Sequence, residues 1–185
     1  MSLQELRLVE FASTDSMMLQ KVGRLRVAAW ATELSSEPQV GSWLDDFDEV
    51  ARHWAFLDGA EPIASARMTV HATLAEVPDP EDFFGLFDEP PSAPIASINR
   101  LVVHPNYRRY GLGSSLDNLR LRVAEEMGCR CVVVSTPSGD RRVAQLVSQG
   151  FRLLGSTGAA NTPPLLRLLP PSIALACFLP RHTAT

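Results

Sequence analysis

The sequence predicts an α/β domain, and three observations lead to that class. Strand-like and helix-like segments alternate along the chain. Clusters of turn-forming residues separate them. One apolar run, Leu101 to Val103, breaks at Pro105 and re-enters through a glycine-rich turn into an amphipathic helix. At 185 residues and 45% hydrophobic content, the chain suits a single domain, 1–185, with a full-sized core.

Each element has its own justification. Leu6 to Phe11 reads as a first strand, and Ser13, Thr14 or Asp15 caps a helix to about Leu34 with Met18, Val22, Leu25, Ala29 and Trp30 inward. After a loop from Ser35 to Ser42, Trp43 to Val50 reads as a short helix. His53 to Leu57 is a strand that turns at Asp58-Gly59 into Pro62 to His71. Thr73 to Pro94, rich in Pro, Asp, Glu and Phe, is a long excursion, and Phe83, Phe84, Leu86 and Phe87 argue for its partial burial. Ile95 to Val103 is the next strand. In the helix that follows, Leu112, Leu116, Leu119, Val123 and Met127 share a face, Asp117, Arg120, Arg122 and Glu126 lie elsewhere, and Gly128 stops it. A strand from Arg130 to Ser135, a helix from Ser138 to Ser148, a strand from Phe151, an irregular loop from Ser156 to Pro171 and a strand from Ile173 to Leu179 complete the chain.

Composition removes several classes of function. No apolar run reaches membrane-span length, and Met1-Ser2-Leu3-Gln4-Glu5 lacks the basic-then-apolar pattern of a signal peptide, so a cytoplasmic protein without membrane contact is expected. The three cysteines, Cys129, Cys131 and Cys177, sit in apolar segments and read as buried free thiols. Cys129-x-Cys131 is too short and lacks partner histidines for zinc, so no metal is expected. The net charge of −4 hides a division: 6 basic against 17 acidic residues up to Ser92, and 11 basic against 4 acidic from Ala93 onward. That asymmetry suits a polyanionic ligand on the basic half and a cationic amine on the acidic one. Basic residues are not interleaved with aromatics, which argues against nucleic acid.

The glycine-rich turn is a phosphate cradle. A helix entered through Gly111 and Gly113 presents unsatisfied N–H groups and the positive end of its dipole, and the glycines let a bulky anion approach the main chain. A P-loop would need Gly-Lys-Ser/Thr, and the one lysine, Lys21, is far away. A dinucleotide fingerprint would need a third glycine where Leu116 stands.

What remains, Arg108-x-x-Gly111-x-Gly113, resembles the acyl-CoA-binding motif (Arg/Gln-x-x-Gly-x-Gly/Ala) of the GNAT N-acetyltransferase superfamily, and the surrounding order of elements is similar too. The resemblance implies a single-domain α/β fold of GNAT type, with a mixed, mostly antiparallel sheet flanked by helices. It also implies an N-acyltransferase that moves an acyl group, acetyl being the expected one, from acetyl-CoA or another acyl-CoA to an amine of a small molecule or peptide. The strand Ile98 to Val103, with Leu101, Val102 and Val103, would pair with the pantetheine arm in the manner of strand addition. The amides of Arg109, Gly111, Leu112, Gly113 and Ser114 would take the pyrophosphate, with Arg108 and Tyr110 in the same cofactor-binding loop, and Ser114 and Ser115 adding hydroxyl contacts. A homodimer is left open.

The sequence departs from that family in two catalytic positions. Where many relatives carry a Glu or Asp as base, the strand reads Ser97-Ile98-Asn99-Arg100, and where many carry a Tyr as the acid for the leaving thiolate, counting back from Gly150 gives Leu146. A water relay from Ser97 or Asn99 is one substitute for the base, and His71, on a face with Ser65, Arg67 and Thr69, is the better one by intrinsic pKa. Ser135, Thr136 or Ser138 would protonate or stabilise the sulfur. His104, directly before Pro105, reads as structural. These gaps keep a non-catalytic CoA-binding module as an alternative.

A second resemblance bears on the substrate. Leu25-Arg26-x-x-x-Trp30, Asp45-Asp46-Phe47-Asp48, Ala66-Arg67-Met68 and Ser97-Ile98-Asn99-Arg100-Leu101 are similar to the GNAT-related acylhomoserine-lactone and long-chain N-acyl amino acid synthases, with Ser97 where those carry Glu. This branch implies a fatty acyl donor on acyl carrier protein and an amino-acid-like acceptor, whose carboxylate Arg67 and Arg100 would bind. Pairing of either arginine with a nearby acid such as Asp48 is the alternative role.

Overall fold

The structure, a computed structural model, describes residues 6–31, 40–137, 139–156 and 172–180. Strand β1 (Arg7–Phe11) is followed by helix α1 (Ser16–Ala31). Of the three candidate caps it is Asp15 that serves, its carboxylate accepting the Met18 N–H at 3.0 Å. Helix α1 buries Val22, Gly23, Leu25, Arg26 and Ala29. Glycine at 23 is a matter of room, because a Cβ there would run into the Ser42 hydroxyl and crowd Leu44. The expected continuation of α1 to Leu34 lies outside the described residues beyond Ala31.

A single 3-10 turn, Asp46–Glu49, stands where a short helix was expected. Strands β2 (Arg52–Asp58) and β3 (Glu61–His71) form the hairpin, with Gly59 at φ 59° in its turn. Strand β1 pairs antiparallel with β2 from Arg7↔Leu57 to Phe11↔His53. The excursion from Thr73 to Pro94 contains two 3-10 turns, Leu74–Glu76 and Pro80–Phe83. Strand β4 (Ile95–Val103) precedes helix α2 (Leu112–Glu126), and β5 (Cys131–Pro137), α3 (Asp140–Ser148), β6 (Arg152–Ser156) and β7 (Ser172–Phe178) follow. The strands hydrogen-bond in the order β1-β2-β3-β4-β5-β7-β6. The sheet is mixed and mostly antiparallel, with β4 and β5 parallel. The loop read between Ser156 and Pro171 lies outside the described residues from 157 on.

Two compact units divide the chain, one of residues 1–68 and 100–117, the other of residues 69–99 and 118–185. In the first, Leu25 and Ala29 of α1 pack on Val102 of β4, with Trp30 against them. In the second, Val77 and Phe83 of the excursion are buried with Ile95, Cys131, Val133, Ala174 and Ala176, and Leu74, Leu86, Phe87 and Leu154 pack around them. The excursion is thus part of the core at its Phe83 end, while Phe84, one residue on, turns outward and is 68% exposed. Cys129, Cys131 and Cys177 are buried free thiols, and burial pushes that of Cys131 up to about 12.

Helix α2 corrects one reading of the sequence. Asp117 and Arg120, placed away from the apolar face, are fully buried, whereas Met127 is 43% exposed. The inward stripe is Leu112, Leu116, Arg120, Val123 and Ala124, at four- and three-residue steps, so it is rotated relative to one drawn through leucines alone.

In α3, Leu146 has no exposed surface. Leu146→Ala should cost about 2–5 kcal/mol, through lost transfer energy and a residual cavity. Equilibrium denaturant unfolding checks this: a change below about 0.5 kcal/mol, the usual range for a surface site, would contradict the placement.

Candidate active site

The cradle is built within the first unit, at the end of β4. The N–H of His104 donates to the Ile63 carbonyl at 2.8 Å, and a 3-10 turn, Pro105–Tyr107, follows. His104 Nδ1 accepts the Asn106 N–H at 3.3 Å, so this histidine caps the turn. The Tyr107 hydroxyl donates to the Asp58 carboxylate in the β2–β3 turn. Two residues then take left-handed backbone, Arg109 at φ 72° and Gly111 at φ 79°, and they swing the chain into α2.

The first bond inside α2 runs from Ser115 N–H to the Gly111 carbonyl at 2.9 Å, which makes Gly111 the capping residue. The N–H groups of Leu112 and Gly113 therefore fall in the first turn, where a helix supplies no acceptor of its own. A Cβ built on Gly111 would meet nothing within 4 Å, and one on Gly113 would touch only Leu101 at 3.7 Å and Val103 at 3.9 Å. The cradle is open to an anion, and its residues fit a pyrophosphate. Leu101 and Val103 are partly exposed on β4 while Val102 is turned into the core. Arg109 and Tyr110 are exposed, and Ser114 stands in the first turn of α2. The Arg108 side chain is turned into the protein, donating to the Val103 carbonyl at 3.4 Å and to the Ala29 carbonyl of α1 at 2.7 Å. Its guanidinium ties the loop to α1.

The same unit carries a buried ionic cluster. Asp48 receives both Nη atoms of Arg26 at 2.8 Å, and Arg67 Nη1 lies 3.0 Å from it. Asp45 pairs with Arg67 through both carboxylate oxygens and with Arg100 Nη2 at 2.8 Å. The two aspartates also close a capping box on the 3-10 turn between them. Arg26 and Arg67 are essentially fully buried. Arg100 lies over the Trp43 ring, 4.4 Å from its centroid, and has left-handed backbone at φ 51° inside a strand. Burial works to raise both carboxyls, and the guanidiniums overcome it: Arg67 and Arg100 hold Asp45, and Arg26 and Arg67 hold Asp48, below the ordinary carboxylate range. Arg67 and Arg100, the residues read as holders of an acceptor carboxylate, thus have carboxylate partners within the chain. The contiguous Asp45-x-x-Asp48 spacing was the legible signal for this arrangement.

The second unit carries the remaining candidates. The parallel β4–β5 ladder runs from Ile95↔Cys131 to Ser97↔Val133, and among the described residues it goes no further. Ser97 is 3% exposed and its hydroxyl accepts the Asn99 amide at 3.2 Å. The Asn99 carbonyl accepts Arg120 Nη1 at 3.1 Å, so a buried arginine from α2 serves the backbone where the ladder stops. His71, half-buried at the end of β3, hydrogen-bonds the Thr69 hydroxyl at 2.7 Å. Burial lowers its pKa, with Glu76 opposing, which favours the neutral imidazole. Ser138 lies outside the described residues. The Ser135 hydroxyl donates to the Asp82 carboxylate. Asp82 and Arg120 are the residues that sequence reasoning missed, Asp82 because only folding brings the excursion to β5, and Arg120 despite standing four residues from Leu116.

The ionic cluster predicts an acid limit. Each aspartate has a folded pKa below its unfolded value of about 3.9, so its contribution is complete above that value and is lost as pH falls through the folded pKa. This contribution should be level above about pH 5 and decline below about pH 4, so stability should fall less steeply between pH 4 and pH 2 in Asp48→Asn, which should cost about 3–5 kcal/mol at neutral pH by leaving Arg26 buried without its charged partner. Denaturant unfolding from pH 7 to pH 2 checks this; equal slopes in parent and variant would contradict it.

A profile of the Acetyltransferase (GNAT) family matches residues 19–151, most of the chain. No curated protein matches. The fold superposes on the ribosomal-protein-S18-alanine N-acetyltransferase of Escherichia coli with a TM-score of 0.63 at 15% identity, over 97% of this chain and 99% of that one. FeeM, an N-acyl amino acid synthase from uncultured soil microbes, gives 0.68 at 13% identity, over 96% and 93%. An IAA acetyltransferase from Bacillus cereus gives 0.58 at 13% identity, over 94% and 99%. At such identities the likenesses to solved structures speak for the fold alone. The profile match speaks for more: with its GNAT fold, this chain belongs to the GNAT acetyltransferase family.

Proposed function

We propose that the chain is an acyl-CoA-dependent N-acyltransferase, moving acetyl from acetyl-CoA to an amine of a small molecule or peptide. The observation that carries this reading is the cradle: first-turn amides of α2 flanked by two glycines, open to a pyrophosphate and reached directly from β4. Acetyl-CoA supplies a thioester whose acyl carbon is open to attack by a neutral amine. The amides of Leu112 and Gly113 bind the pyrophosphate, and the backbone of Leu101 to Val103 aligns the pantetheine arm. The excess of acid before Ser92 favours a cationic acceptor over a nucleic acid or a membrane surface. No helix among the described residues is long and apolar enough to cross a membrane, which is consistent with a cytoplasmic enzyme.

One observation favours a second reading. Arg26, Asp45, Asp48, Arg67 and Arg100, the residues that resemble the long-chain N-acyl amino acid synthases, meet in one cluster. Under that reading the donor is an acyl carrier protein thioester and the acceptor an amino acid. Thiol release from acetyl-CoA and from acyl carrier protein thioesters, measured over one panel of amines, separates the two. Binding of CoA without release from either donor would leave a non-catalytic module.

The cradle itself has a clean variant. At Gly113 a Cβ meets only ordinary contacts, whereas any side chain at Gly111 is strained by its φ of 79°. Gly113→Val should therefore stay folded and weaken CoA binding at least tenfold, about 1.4 kcal/mol. Calorimetric titration checks this, and unchanged affinity in the folded variant would overturn the assignment. On the acceptor side, Arg100→Met should raise the KM of an amino-acid acceptor, by on the order of 1.5–3 kcal/mol, and change that for acetyl-CoA by less. Equal KM values for a polyamine in parent and variant, with no amino acid accepted, would assign Arg100 to the ionic cluster alone.

A further inference from the structure

Within the first unit, the tip of the β2–β3 hairpin is tied to the loop that leads into α2. Register makes the tip tight: Asp58 stands opposite Glu61, so Gly59 and Ala60 alone form the turn, and Gly59 at φ 59° supplies the left-handed backbone that a two-residue turn needs. Just behind the tip the register shifts. Phe56 pairs with Ala64 and Leu57 with Pro62, so Ile63 is passed over, and its carbonyl accepts the His104 N–H at 2.8 Å. Lys21 of α1 grips the tip as well, its Nζ donating to the Ala60 carbonyl at 2.8 Å and to the Glu61 carboxylate at 2.7 Å. Asp58 therefore stands on a fixed support.

Its carboxylate accepts the hydroxyl of Tyr107. Tyr107 closes the 3-10 turn after β4: its N–H donates to the His104 carbonyl at 2.8 Å, and its ring meets that of His104 edge-on, with 5.8 Å between centroids. The hydrogen bond to Asp58, above all, pushes the Tyr107 hydroxyl above its ordinary pKa, which keeps it a donor at neutral pH. Both groups are half-buried, where a bond to an ionised acceptor is strong. The loop thus has three ties to the rest of its unit, from His104 to Ile63, from Arg108 to Ala29 and from Tyr107 to Asp58. Of these three, the last is made by side chains at both ends. Beyond it the chain reverses through Arg109 and Gly111, both with left-handed backbone, and Leu112 and Gly113 follow at once. A small rotation at Tyr107 re-aims both amides.

We infer that Asp58 and Tyr107 are positioning residues for the acyl donor, their hydrogen bond holding the loop so that the first-turn amides of α2 converge on the pyrophosphate. The inference rests on the reading of the cradle as the acyl-CoA site. Neither side chain has to touch the cofactor. With the tie made, the amides are aimed before the ligand arrives; with it broken, binding has to order the loop first, and affinity falls. The effect belongs to the phosphates, so CoA and pyrophosphate should feel it alike. Acyl transfer from donor already bound should not feel it.

Calorimetric titration with CoA and with pyrophosphate compares the parent with Tyr107→Phe, Asp58→Ala, the double variant and Asp58→Asn. Tyr107→Phe and Asp58→Ala should each weaken both ligands about tenfold, as expected for loss of one hydrogen bond to a charged group. The double variant should bind no more weakly than the singles, because all three lose the same bond. Asp58→Asn removes the charge and keeps an acceptor for the tyrosine, so it should stay within about threefold of the parent. In thiol release with the best amine of the panel, the KM for acetyl-CoA should rise about tenfold in Tyr107→Phe with kcat within about twofold, a split that mere loss of folded protein would not produce. If Asp58→Ala does not fold, Tyr107→Phe and Asp58→Asn carry the comparison. A parent that binds CoA, with the same affinity in folded Tyr107→Phe, overturns the inference alone. A parent that binds neither CoA nor pyrophosphate overturns the inference together with the reading of the cradle.

Discussion

Five side chains in the interior of the first unit make its backbone geometry sustainable. Three guanidiniums, of Arg26, Arg67 and Arg100, enclose the carboxylates of Asp45 and Asp48, and each arginine comes from a different element. Charges so deeply buried are costly when unpaired and affordable only in a closed network. The left-handed backbone of Arg100, worth on the order of 1–3 kcal/mol for a side-chain-bearing residue, is held by its pairing with Asp45 and its seat on Trp43. Immediately after Arg100 come Leu101 to Val103 and then the cradle. Arg108 extends the same logic, tying the cradle loop to the last turn of α1. An anion site made of backbone amides is only as good as the backbone that holds it.

How far the sequence reveals this depends on the range of the interactions involved. The glycine turn, α2 and the strand before it are local objects, set by periodicity and by two glycines, and they stand where their spacing puts them. The Thr73 to Pro94 excursion is legible as a long apolar-flecked loop. Its contribution to the core through Val77 and Phe83 depends on contacts with β5 and β7, far along the chain, and periodicity carries no trace of them. Asp117 and Arg120 were misread for a related reason: polar residues are assumed to face water, and the spacing that sets Arg120 under Leu116 loses to that assumption unless a buried partner, here the Asn99 carbonyl, is known. The roles of Arg67 and Arg100 were open between a ligand and an internal acid, and it took three dimensions to bring Asp45 to both.

Function inherits this division. The proposed cofactor side is written in backbone: φ values, first-turn amides and the room left by absent Cβ atoms, all tied to one contiguous stretch. The positions that the resemblance assigns to a base and an acid hold Ser97 and Leu146, both buried. A buried leucine cannot move a proton, and a hydroxyl 3% exposed does so only with a partner. Ser135 and Asp82, from segments far apart in the chain, are brought together by the excursion.

The central claim is that CoA phosphates sit on the first-turn amides of α2. An amide NMR titration with CoA tests it most directly. Saturable downfield shifts at Gly111, Leu112 and Gly113, reproduced at those residues by pyrophosphate alone, are what the account predicts. Binding that leaves those resonances unmoved while others shift would contradict it.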